Sequence, residues 1–101
     1  MMQGDSCSVS IEILNADGTA VTASDVTDVE VMIGSIRKTY SNKDVSFYDG
    51  KWVFPLTQKE TLNLPPTYVD AQVRVAFVGG DVEGVSLGEI KVHESNSKAV
   101  L

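Results

Sequence analysis

The run from Tyr68 to Val78 constrains this chain more than any other stretch, because Val69, Ala71, Val73, Val75 and Phe77 alternate with Asp70, Gln72 and Arg74. Successive side chains on a strand point to opposite faces, so the run predicts a long β-strand with one apolar and one wet face. Such a face needs a second apolar layer, and the sequence supplies strands to build it. Cys7, Val9, Ile11 and Ile13 alternate with Ser8, Ser10 and Glu12, while Val29, Val31 and Ile33 alternate with Glu30 and Met32. The odd-numbered side chains of all three runs are expected to face one core, with Cys7 as a small buried hydrophobe.

Turn chemistry divides the rest. Asn15-Ala16-Asp17-Gly18 reads as a turn, Gly34-Ser35 as a two-residue hairpin turn, and Asp49-Gly50 as the strongest hairpin signal of the chain. Trp52 and Phe54 then share one face, Trp52 being the large side chain a small sandwich needs at its centre. Pro55 cannot donate to a ladder and places its strand at an edge or at its end. Thr57 and Glu60 have the spacing of a capping box, predicting one short helix near residues 57–62 that Pro65-Pro66 stops. After the Gly79-Gly80-Asp81 turn, the apolar parity of Val82–His93 switches from Val85 and Leu87 to Ile90 and Val92, which requires a β-bulge near Gly88. About seven strands at this spacing predict an all-β fold, an immunoglobulin-like antiparallel β-sandwich. With 101 residues there is enough chain for one core, so residues 1–94 are expected to form a single domain and 95–101 a C-terminal tail.

Fourteen acidic against eight basic residues give a net charge of −6, and the basic ones are scattered, which argues against a nucleic-acid partner. The one adjacent pair, Arg37-Lys38, reads as a solubilising feature of an edge strand. No stretch has the length of a membrane span, and Met1–Asp5 lacks the basic and apolar regions of a secretory signal. With Cys7 the single cysteine, residence in a reducing cytoplasm is the expectation.

Chemistry-bearing residues are sparse. His93 is the one histidine, so neither a nucleophile–base–orienter set nor a four-ligand zinc site is expected, and the chain reads as a non-enzyme without a cofactor. Asp17, Asp25, Asp28, Asp44, Asp49, Asp70 and Asp81 fall near turns and read as turn formers, with shared calcium binding as the alternative. Tyr40, Tyr48 and Trp52 could bind a sugar if exposed, which makes a carbohydrate-binding module the alternative to a protein-contact role. The tail ends in Ala99, Val100 and Leu101, a candidate for strand addition to a neighbour's sheet edge, against the competing reading of a frayed terminus. The isolated protein is expected to be a monomer or weak dimer.

Several motifs carry a resemblance. Val53-Phe54-Pro55-Leu56-Thr57-Gln58-Lys59-Glu60, Val69-Asp70-Ala71-Gln72-Val73-Arg74-Val75 and Ser97-Lys98-Ala99-Val100-Leu101 resemble small prophage structural proteins of Gram-positive bacteria. Gly4-Asp5, Asp17-Gly18-Thr19 and Val26-Thr27-Asp28-Val29 are similar to the N-terminal immunoglobulin-like domain of phage baseplate upper proteins. The resemblance implies a non-enzymatic phage structural or assembly protein, made in the host cytoplasm and incorporated into tail, baseplate or head. It further implies contact with other virion or assembly proteins, or with copies of itself. Baseplate upper proteins continue into a long receptor-binding or oligomerising region, whereas the sequence here runs to Leu101.

Overall fold

A computed structural model describes residues 1–101. Its core follows the alternation. Val29, Val31 and Ile33 of β2 (Val26–Ile33) and Val69, Ala71, Val73 and Val75 of β6 (Tyr68–Phe77) are all buried. The two strands pair antiparallel, with Val29 opposite Val75 and Val31 opposite Val73, so the buried sets lie on one face.

Two antiparallel sheets carry seven strands. The first has the order β1-β5-β4, from Cys7–Ile11, Lys51–Leu56 and Ser46–Tyr48. The second has the order β3-β2-β6-β7, β3 being Ile36–Thr39 and β7 Val82–Lys91. Trp52, Phe54 and Leu56 project from β5 into the interface and are at most 1% exposed. The Trp52 indole N–H donates to the Val21 carbonyl at 3.2 Å, so its one polar atom is satisfied inside the core.

The partition of strands explains the shape. In the constant-type immunoglobulin arrangement the first sheet holds strands one, two, five and four and the second holds three, six and seven. Here β2 instead sits between β3 and β6, because Gly34-Ser35 closes a tight β2–β3 hairpin with Ile33 opposite Ile36. Gly34 takes φ +57 there, and a Cβ at that position would lie 3.3 Å from Leu64 Cδ2. Three strands thus face four, and three cannot cover four. The molecule measures 46 × 22 × 20 Å, with a radius of gyration of 14.5 Å against about 13 Å for a compact domain of this length.

The local signals land where expected. Asp49 and Gly50 both take positive φ between Tyr48 and Lys51, which are paired. The helix α1 is Gln58–Leu62, capped by Thr57 and Glu60 in the reciprocal arrangement. The bulge in β7 falls at Leu87, since Ser86 pairs with Gln72 and Gly88 with Ala71. Pro55 is accommodated differently from a simple edge: β5 is the middle strand of its sheet, but β4 ends opposite Val53, leaving Pro55 paired with Ser8 of β1 alone.

Two expectations need correction. Cys7 has the inward parity, pairing with buried Leu56, yet it is exposed, and Val9 and Ile11 are only half-buried. β1 is an edge strand, and parity decides which face a side chain takes but not whether anything covers it. Lys38 is buried rather than a surface charge: its ammonium lies 2.7 Å and 2.9 Å from the two Glu60 carboxylate oxygens, and only Arg37 of the pair is exposed, bonded to Glu30 at 2.6 Å.

Candidate interaction surface

The uncovered strand is β7. Every residue from Val82 to Glu89 is exposed, although Val85 lies opposite Val73 and Glu83 opposite Val75, on the face that the sandwich buries elsewhere. Val85 is 61% and Leu87 46% exposed. The outer edge of β7 is also unpaired, since β6 is its only sheet neighbour. Past Lys91 the situation changes: the Met1 ammonium donates to the Lys91 carbonyl, Met1 and Gln3 exchange bonds with His93, and Met2 forms a parallel bridge to His93. The N-terminal segment therefore covers the last part of this edge and leaves Val82–Glu89 open.

A cleft of about 380 Å³ runs along that open stretch. Its floor is Val73, Val75 and Phe77 of β6, one wall is Glu83 and Val85 of β7, and the other is Ile13–Ala16. The second wall is held rigidly. Asn15 and Gly18 close the turn, Leu14 bridges Ala20, and the Val21 N–H donates to the Ile13 carbonyl at 2.8 Å. Asp17 accepts from the Thr19 hydroxyl at 2.6 Å and the Thr19 N–H at 2.9 Å, and these two bonds hold its carboxyl below the usual carboxylate range. The mouth is acidic, with Asp81 and Glu83 beside the apolar floor.

Of the residues singled out from the sequence, Asp81 lies at this mouth, while the aromatics and the tail fall elsewhere, in separate places. Tyr48 stands at the β4–β5 hairpin, 75% exposed. Tyr40 is half-buried and meets Trp52 edge-on at 5.2 Å between centroids, with Phe47 4.8 Å from the same indole. Trp52 itself is fully buried, so Tyr40, Phe47 and Trp52 form a core cluster and Tyr48 stands apart, which is not a flat sugar-stacking platform. A shallower depression of about 620 Å³ beside Tyr40 has its apolar parts, Val45 and Phe47, committed to the core. Ala99, Val100 and Leu101 lie beyond the far end of β5, where the Leu101 N–H donates to Gln58 of α1 at 2.7 Å. The tail has no regular structure and rests on polar contacts: the Ser95 N–H and the Lys98 ammonium both donate to Gln3 Oε1.

Carboxylates elsewhere are tied to structure. Partial burial pushes Asp28 up, but hydrogen bonds from Ser41 and Val29 and the Arg37 charge outweigh it and hold the carboxyl low. Burial likewise raises Glu60, and the Lys38 ammonium and the Thr57 cap overcome it, leaving its pKa below the usual range. No three His, Cys, Asp or Glu side chains converge on a point that would hold a metal ion.

Sequence reasoning missed the open cleft. The signal was present in Val82, Val85 and Leu87, which put apolar residues on both parities of the last strand without a covering partner. Compared with known proteins, the chain matches no family model, no characterised protein and no solved structure.

Proposed function

We propose that this chain is a non-enzymatic structural module of a phage or prophage particle that works by protein–protein contact along the open β7 side of its sandwich. The observation that carries the contact role is the unpaired Val82–Glu89 edge combined with an uncovered apolar inner face on the same strand. An exposed edge is a template for added strands, and natural proteins usually blunt or cover it. Here the bulge at Leu87 interrupts the edge without covering Val85. An added strand would gain ladder hydrogen bonds and side-chain burial together, the combination used in recognition by β-augmentation. The particle assignment is supported by the sequence motifs at residues 53–60, 69–75 and 97–101.

The test is co-purification of the tagged chain with the products of its flanking genes, in parallel for wild type and Val85→Glu. The expected result is a stoichiometric complex with a particle structural protein, lost in the variant while its unfolding transition is unchanged. Flanking genes of metabolic enzymes, or a complex indifferent to Val85→Glu, would contradict the reading.

A further inference from the structure

We infer that the open β7 edge beside the cleft accepts the Ser97–Leu101 segment of a second copy of this chain as an added strand, giving head-to-tail self-assembly; this rests on the reading of β7 as the contact side. The segment is the best chemical match the molecule offers. The cleft is apolar with an acidic mouth at Asp81 and Glu83, and the segment places one cation, Lys98, before apolar Ala99, Val100 and Leu101. Spacing matches as well as composition. Glu83 and Val85 are two residues apart on the inner face of β7, as Lys98 and Val100 are two apart in the tail. A tail strand added parallel to β7 sets Lys98 beside Glu83 and Val100 beside Val85 on one face. An antiparallel strand that keeps Lys98 beside Glu83 sets Val100 beside Asp81 and polar Asn96 beside Val85 instead.

Val100 is 52% and Leu101 100% exposed where they now lie, and the segment's hydrogen bonds and ion pair there are to Gln3, Gln58 and its neighbour Glu94. The same chain cannot satisfy its own cleft. The tail and the cleft sit at opposite ends of β7, a strand of 10 residues, and Met1–Gln3 occupies the intervening edge at His93. Folded back in a tight hairpin at Glu94-Ser95, Lys98 and Val100 would stand opposite Lys91 and Glu89, the cation against a like charge and the apolar residue against an acid. Pairing of two β7 edges is the competing arrangement, and it would bring the acidic mouths of two chains of net charge −6 together. Tail donation joins two different surfaces, so unless two copies exchange tails reciprocally it propagates into rings or filaments.

The test uses two defective chains, a truncation after Glu94 and Val85→Glu, each measured by sedimentation alone and then mixed. Wild type is expected to form species that grow with concentration beyond a dimer. Each defective chain should stay folded and monomeric, the truncated one somewhat less stable because buried Gln3 loses its donors Ser95 and Lys98, and the mixture should form a one-to-one heterodimer that grows no further. Should Val85→Glu fail to fold, Val85→Asn takes its place, since Val85 is 61% exposed and outside the core cluster. Glu83→Lys should weaken wild-type assembly about two- to fivefold, as for an exposed ion pair, and Lys98→Glu in the same chain should restore it. A wild type monomeric at all concentrations, a truncated chain that still associates, or a mixture that stays monomeric would each overturn the inference. A monomeric wild type that still binds a particle protein through Val85 would do so while leaving the proposed function standing.

Discussion

Trp52→Ala is expected to cost about 3–5 kcal/mol of folding stability, the range for truncating a fully buried aromatic. The indole is 0% exposed, packs against Tyr40 and Phe47, and bonds to the Val21 carbonyl. Its removal opens a cavity at the centre of the three-stranded sheet and leaves that carbonyl without its donor. Since domains of this size are stable by only about 5–15 kcal/mol, the loss is a large part of the total. At about 4–8 °C per kcal/mol the melting temperature should fall by roughly 12–40 °C. Urea unfolding followed by circular dichroism checks this, and a loss below about 1 kcal/mol would show that the core is centred elsewhere.

Lys38→Ala should cost about 2–4 kcal/mol, somewhat under the usual cost of breaking a buried ion pair because the Glu60 side chain remains 29% exposed. Lys38 reaches from β3 to α1, and Glu60 simultaneously bonds the Thr57 N–H, so the pair ties the helix cap to the second sheet. Replacing both partners in Lys38→Met/Glu60→Gln should recover part of the loss, since no charge is then left buried and unpaired. The pH dependence has a fixed sign. Glu60 and Asp28 have folded-state pKa values below their ordinary ones, so their stabilisation is complete above about pH 5 and is lost as pH falls through the folded values. Unfolding free energy should therefore rise with pH through the acid range up to about pH 5, and Glu60→Gln should flatten that slope. An equal slope in the variant would remove Glu60 from the account.

What could be read from the residues was whatever is decided locally. The face taken by Val69–Phe77, the turn at Asp49-Gly50, the Thr57–Glu60 cap and the bulge near Gly88 each depend on a few neighbouring residues, and all appear in the structure. What stayed hidden depends on partners distant in sequence. Cys7 carries the parity of a buried residue but lies on an edge strand. Lys38 looks like a surface charge until α1 brings Glu60 to it across 22 positions. The cleft follows from β2 joining the second sheet, a pairing choice no single strand's pattern reveals. Tyr40 and Tyr48, chosen as exposed aromatics, differ for the same reason, one turned onto Trp52 and the other left in solvent.

Amide hydrogen exchange on the dilute, monomeric chain tests whether a four-stranded sheet is only partly covered by a three-stranded one. The slowest amides should be those of β2 and β6 around Val29, Val31, Val73 and Val75, while the β7 amides of Val82–Glu89 that point away from β6 should exchange near the rate of unstructured chain. Protection of those β7 amides equal to that of β2 would mean that the edge is already covered, contradicting an open β7.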